Sequence, residues 1–290
     1  MIELSYELFC EHFLEQLRLR FGKDYVLERE DALGYNGVHK EMLLVGKTGA
    51  GCIPRFDLRA YYEAYLERGK WEELFVEIEQ AVYSQKVPTE QKLKELFSKE
   101  QIRERLIVRL LSKKRNEELL KDMPHLPFLD LVITFHVLIE KEEGGTKTVR
   151  VTKKIWEEYI GESMLQMYQL ALHNTELFFP ARMEKLEKLL HMPELFGESG
   201  LFMLSNQYGI YGATVLLYEG VQKKIESVLG GDYYVIPSSV HEILVIQKQN
   251  VPNEELLKDT ILEVNRTQVG AEDVLSNLLY RYEEQQLTCV

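Results

Sequence analysis

A chain of 290 residues with 45% hydrophobic and 28% charged content is globular, large enough for one big domain or two ordinary ones, and too apolar to be dominated by disorder. Its 35 basic residues are outnumbered by 47 acidic ones for a formal charge of −12, spread over both halves, which disfavours nucleic acid and anionic membrane surfaces as partners. No apolar run approaches the ~20 residues of a membrane-spanning helix, Met1 to Leu8 lack the basic and apolar regions of a secretory signal, and Cys10, Cys52 and Cys289 are odd in number without a C-x-x-C pair, so the sequence predicts a cytoplasmic protein with reduced thiols and no membrane association.

Ser5 caps a first predicted helix whose apolar positions Tyr6, Phe9, Phe13 and Leu17 recur three and four apart, with Glu7, Glu11 and Glu15 kept for water. Two β-rich runs follow, Tyr25 to Leu27 and Val38 to Val45, joined across Gly34-Tyr35-Asn36-Gly37 as a hairpin. Tyr61, Tyr62, Tyr65 and Leu66 mark a second helix, Gly69 breaks it, and Trp71, Leu74, Phe75, Ile78 and Val82 mark a third. From Val87 to Gln101 the chain turns polar and helix-prone behind Pro88-Thr89. A boundary is expected there between a smaller N-terminal α/β subdomain (1–98) and a main α+β domain (99–290), with one continuous domain as the other reading.

Arg105 to Leu111 fits both periods: Leu106, Val108 and Leu110 alternate, while Ile102, Leu106 and Leu110 repeat at four. The β-branched Ile107 and Val108 favour a strand, followed by a short helix at Asn116 to Lys121. Leu129 to Ile139 is apolar at every odd position and predicts a central strand buried on nearly both faces, after which Glu142 to Thr146 turns the chain into Lys147 to Val151. Helices are expected around Trp156 to Tyr159, Met164 to Leu172 and Met183 to Leu190.

In the last third, Leu201 to Leu204 and Ala213 to Tyr218 read as strands linked through Gly209 and Gly212. Val221 to Leu229 reads as a helix closed by Gly230-Gly231 and packed through Ile225, Val228 and Leu229. Tyr233 to Ile236 and Glu242 to Ile246 complete four strands, Asn253 to Val264 is a helix, and Leu278 to Tyr282 is a final edge strand. Links this short forbid parallel crossovers, so the fold class is α+β, a mainly antiparallel sheet with helices packed on it.

Most motifs that carry chemistry are incomplete. Gly46-Lys47-Thr48-Gly49-Ala50-Gly51 resembles a phosphate loop, but Glu41 stands where a Walker loop has glycine, and Cys52-Ile53-Pro54 follows instead of a helix. The reading is a glycine-rich turn without nucleotide. Seven histidines are scattered without metal-ligand spacing, so neither metal nor cofactor is assigned, and His136 reads as a hydrogen-bonded core histidine. Arg105, Arg109 and Lys113 fall four apart: on a helix they would form a stripe suited to an acidic partner, whereas on the favoured strand Arg105 and Arg109 merely share a solvated edge. The tyrosines at 61, 62 and 65 sit at helical spacing beside leucine and read as packing.

The segment with chemical potential is Pro237-Ser238-Ser239-Val240-His241-Glu242, which places two hydroxyls, an imidazole and a carboxylate in one inter-strand turn. In extended structure Ser239 and His241 would share a face, yet lie roughly 7 Å apart, too far for direct proton abstraction. Turn serines beside a histidine bonded to a neighbouring strand is the bland alternative.

The segments Arg115-Asn116-x-Glu118-Leu119-Leu120-Lys121-Asp122, Pro124-His125-x-Pro127-Phe128-Leu129-Asp130-Leu131, Ala171-Leu172-x-Asn174-Thr175, Leu204-Ser205-Asn206-x-x-Gly209-x-x-Gly212-Ala213 and Pro237-Ser238-Ser239-x-His241-Glu242 carry a resemblance along almost the whole chain. They are similar to an uncharacterised bacterial family, a domain of unknown function common in anaerobic Gram-positive gut bacteria. The resemblance implies a bacterial cytoplasmic protein and transfers no catalytic residue. Its recognisable words fall at expected loops and strand ends, which adds Asn174 and Asn206 to Ser238, Ser239, His241 and Glu242 as candidate binding residues. The function expected is non-catalytic binding of a protein or small-molecule ligand, with homodimerisation open. The alternative is a hydrolase or transferase using Ser239, His241 and Glu242.

Overall fold

The structure, a computed structural model, describes residues 4–49, 53–84, 98–142, 145–186 and 200–290. The chain divides into two compact units, Met1–Gly34 with Val38–Phe97, and Tyr35–Gly37 with Ser98–Val290. Both are α+β with antiparallel pairing throughout. Among the described residues no helix is long and apolar enough to cross a membrane.

In the first unit, α1 (Tyr6–Phe21) starts at Ser5, whose side chain accepts from the Leu8 N–H. β1 (Tyr25–Leu33) pairs along its full length with β2 (His39–Lys47), and β3 (Arg55–Asp57) joins β2. Asp57 caps α2 (Leu58–Arg68), Gly69 closes it in the left-handed conformation, and α3 (Trp71–Ser84) follows. Phe9, Phe13, Leu17, Leu43, Leu58, Leu74 and Ile78 form the core, as the helical spacing requires. β2 runs through Gly46 and Lys47, so the first half of the glycine-lysine motif is strand. The rest of that turn beyond Gly49, and the polar stretch at 85–97, lie outside the described residues.

The second unit holds two sheets. β4 (Leu106–Ser112) and β5 (His125–Phe128) flank β6 (Leu131–Glu142), and β7 (Gly145–Arg150) pairs with the far half of β6. Every residue from Leu131 to Leu138 is buried, as a strand between two neighbours must be. The outward N–H groups of β4 are covered by side chains: Thr175, on the helix Met164–Phe178, accepts from Val108, and Thr214 accepts from Leu110. An edge that would otherwise expose unpaired donors is closed this way.

The six-stranded sheet has the order β13 (Gln286–Cys289), β12 (Tyr280–Glu283), β10 (Tyr233–Ile236), β11 (Ile243–Gln247), β9 (Leu201–Asn206) and β8 (Ala181–Lys185). Several sequence expectations are corrected here. Ala181 to Lys185, whose second half was expected to open a helix at Met183, is a strand paired with β9; the partner strand overrides local propensity, and residues 187–190 lie outside the described set. Ala213 to Tyr218 is not a strand, because Gly212–Leu217 forms a 3-10 helix, so Leu201 to Ile246 holds three strands instead of four. Gly212 to Leu216 are all buried, and a short run enclosed on every side has no periodicity to distinguish strand from helix. The helix Val221–Leu229 packs through Ile225 and Leu229, but Val228 is 49% exposed. β12 lies inside the sheet, since β13 takes the edge. Arg109 is corrected most sharply: it lies on no solvated edge and is 4% exposed.

Candidate functional site

The turn between β10 and β11 is held by its own side chains. Ser239 Oγ donates to Glu242 Oε1 at 2.7 Å and accepts from the His241 N–H at 3.0 Å, while the Ser239 N–H donates to Glu242 O. The segment is therefore folded on itself, and the Ser239 hydroxyl meets the main chain of His241, not its ring. The Ser238 N–H closes a tighter turn on Ile236 O. The imidazole is occupied elsewhere: its Nδ1 accepts from the Tyr211 N–H at 3.3 Å, which leaves the proton on Nε2, 3.3 Å from Asp273 Oδ1. One third of the His241 side chain remains exposed.

Asn206 builds the loop after β9. Its Oδ1 accepts from the N–H groups of Tyr208 and Ile210, and its Nδ2 donates to Ile210 O at 2.7 Å. Ser205 Oγ ties this loop to the turn by donating to His241 O. Gly212 sits at their junction, where an added Cβ would collide with the Ser205 hydroxyl and the main chain of His241 and Asn206. These bonds place Tyr211 in the left-handed conformation at φ 52, costly for a bulky residue and sustained only where the surroundings over-determine it. Asn174 is remote in role: it donates to Arg103 O and Leu106 O and ties the helix Met164–Phe178 to the start of β4.

Tyr211 joins this turn to the four-stranded sheet. Its ring lies beside the His241 ring, with centroids 5.6 Å apart, and the Arg109 guanidinium stands 3.6 Å from its centroid. Arg109 comes from the middle of β4, opposite Thr134 on β6, and a further pairing places His136 opposite Ile107 and Arg150. These side chains share one face of the sheet, where Tyr35 also packs, 6.4 Å from both Tyr211 and His136. Arg150 lies over the Tyr35 ring at 5.7 Å. Beside Arg109 is a small cavity of about 10 Å³, walled by Thr146, Asn206, Tyr211 and Phe179 among others.

The electrostatics of this face are lopsided. Among the described residues Arg109 forms no ion pair; its partners are the Tyr211 ring, the Tyr35 hydroxyl and Thr146 Oγ1 at 3.4 Å. Cation–π contact returns about 2 kcal/mol at a desolvated site, whereas an unpaired buried ion costs several. The neighbouring tyrosines leave part of that cost standing. His136 is fully buried, and burial together with the charges of Arg109 and Arg150 holds its pKa well below the ordinary imidazole value. Its Nε2 meets Thr134 Oγ1 at 3.1 Å, in keeping with a hydrogen-bonded core histidine, but its Nδ1 has no partner among the described residues. Burial raises the Tyr35 phenol.

The structure thus brings Asn206, Ser239, His241 and Glu242 into one bonded assembly and leaves Asn174 outside it. Arg109, Tyr211 and Tyr35 were not singled out as site residues from sequence. A signal existed for Arg109 alone, as the one charged residue within the apolar run Leu106 to Leu111. Among the described residues no group of three or more His, Cys, Asp or Glu could hold a metal ion. No curated protein and no solved structure matches the chain. A family model matches residues 6–284, and on that match the chain belongs to a family of unknown function, DUF5688.

Proposed function

We propose that this protein is a non-catalytic binding protein whose ligand seat lies at Tyr211, between Arg109 and His241. The observation that carries this is the strained Tyr211 itself, held at φ 52 by bonds from the Asn206 loop and the His241 turn, with a buried cation on its ring. In this reading Asn206, Ser238, Ser239 and Glu242 shape the walls, His241 and Tyr211 touch the ligand, and Asn174 supports β4 from behind. A small molecule is the favoured partner, taken up at the exposed third of the His241 side chain beside the Tyr211 ring. The hydrolase or transferase reading draws less support, since the Ser239 proton is committed to Glu242 and the His241 ring to Tyr211 and Asp273.

The test is a fragment panel followed by ligand-observed NMR on the wild type, His241→Ala and Tyr211→Leu. Fragments that bind the wild type should lose contact with both variants while the variants keep cooperative melting. Turnover of p-nitrophenyl acetate or p-nitrophenyl phosphate that disappears in Ser239→Ala would replace the binding reading by the catalytic one.

A further inference from the structure

We infer that His241 is a proton-operated latch on Tyr211: the neutral imidazole holds Tyr211 in its left-handed conformation, and a proton on Nδ1 releases it. The inference rests on the binding reading above and supplies the regulation of that seat. Its basis is that the two ring nitrogens are bonded in ways that a proton affects oppositely. Nδ1 accepts from the Tyr211 N–H at 3.3 Å, and a ring nitrogen accepts only while its lone pair is free. Nε2 lies 3.3 Å from Asp273 Oδ1, and that bond survives protonation of the ring and becomes an ion pair. An imidazolium would therefore set two N–H groups head to head at Tyr211 while keeping its hold on Asp273. The added proton comes from solvent, which reaches the ring at its exposed third, and no covalent bond is broken.

Tyr211 is a residue where such a loss has an effect. A bulky side chain at φ 52 carries a backbone strain comparable with the net worth of one or two hydrogen bonds. Its neighbours stay tied when His241 lets go, because the Ile210 N–H is held by Asn206 Oδ1 and the Thr214 N–H by the Tyr211 carbonyl at 3.3 Å. The strain is then relieved at Tyr211 itself, whose ring lies between the imidazole and the Arg109 guanidinium and moves with its main chain. The charged groups about the imidazole are Asp273 at Nε2, Glu242 in its own turn and Arg109 on the Tyr211 ring. Glu242 is engaged by the Ser239 hydroxyl, so Asp273 is the anion that receives the imidazolium.

Wild-type protein titrated by NMR between about pH 8 and pH 5 tests this without ligand, through the His241 ring nitrogens and the Tyr211 amide. At the upper end Nδ1 should show the signature of an unprotonated nitrogen and Nε2 that of a protonated one. As the pH falls, the Tyr211 amide should shift with the midpoint of the ring, and its protection from exchange, relative to the intrinsic rate, should drop about tenfold for the loss of one hydrogen bond. In His241→Asn a carbonyl oxygen replaces Nδ1 as acceptor and does not titrate, so Tyr211 should stay protected throughout. A Tyr211 amide that ignores the titration of the ring, a proton on Nδ1 at the upper end, or an unchanged pH profile in His241→Asn would overturn the inference. The same loss of protection at Val235 and Val245 would overturn it too, since the strands that carry the turn would then be opening. If His241→Asn fails to fold, the wild-type titration decides alone. Non-ionisable fragments that bind at Tyr211 should weaken about tenfold across the same midpoint. Equal fragment affinity at both ends would end the control of the seat by His241, whereas the absence of any fragment binding would remove the binding reading and leave the latch to be decided by the amide.

Discussion

At the scale of single residues, His136 shows how burial and charge act together. Arg109 from β4, Arg150 from β7 and the half-buried Tyr35 surround it, and desolvation with the two positive charges keeps the imidazole neutral. Its folded pKa lies below its unfolded value of about 6.5. In the window between them the unfolded chain binds the extra proton, so stability rises with pH. The contribution is fully present above about pH 6.5 and is lost as the pH falls toward the folded pKa. Between pH 7 and pH 5 the wild type should therefore lose up to about 2 kcal/mol more than His136→Gln does. Denaturant midpoints at three pH values check this, and parallel pH profiles would show that His136 is accessible to protons in the folded state. The sequence already pointed to a core histidine here. The two guanidiniums that set its neutrality are contributed by other strands, and no local pattern records them.

At the scale of elements, β6 and the edge of β4 differ in how far their sequences announce them. The unbroken apolar alternation of β6 requires cover on both faces, and Phe135 is fully buried. Phe135→Ala should cost about 3 to 5 kcal/mol by cavity formation, read as a shift in denaturant midpoint. A midpoint equal to the wild type's would place that face in solvent. The cover of the β4 edge is contributed by two distant threonines. Removing the Thr214 hydroxyl in Thr214→Val, or that of Thr175 in Thr175→Val, leaves a buried N–H unsatisfied, and each should cost about 1 to 3 kcal/mol. Hydrogen exchange at Val108 and Leu110 separates this from a packing effect, because only the lost acceptor speeds exchange at those two amides. The mistaken strand at Ala213 to Tyr218 has the same origin. Thr214 must reach the β4 edge, and the main chain coils there to deliver it.

At the scale of the whole molecule, the second unit draws on residues far from the rest of it in sequence. Asn36, at φ 55, takes the Asn116 side chain on its Oδ1, donates its N–H to Asn116 Oδ1, and donates Nδ2 to the carbonyls of Ala271, Glu272 and Val274. Asn36→Ala abandons these acceptors at once and should cost about 2 to 4 kcal/mol in that unit. Tryptophan fluorescence at Trp156 against denaturant reads it, and an unchanged midpoint would show that water replaces the amide without loss. Taken alone, the sequence determined the α+β class, the antiparallel pairing, most helices, the Ser5 cap and the Gly230 close, and the turn that carries Ser239 and His241. Those features follow from periodicity, link length and capping chemistry, which act within a few residues. Only the tertiary structure decided that Tyr211 is strained between His241 and Arg109, and that Arg109 is buried with no carboxylate partner among the described residues. The reason is physical: a side chain's partner is set by which strands and loops are packed beside it, and such pairings join residues tens to hundreds of positions apart.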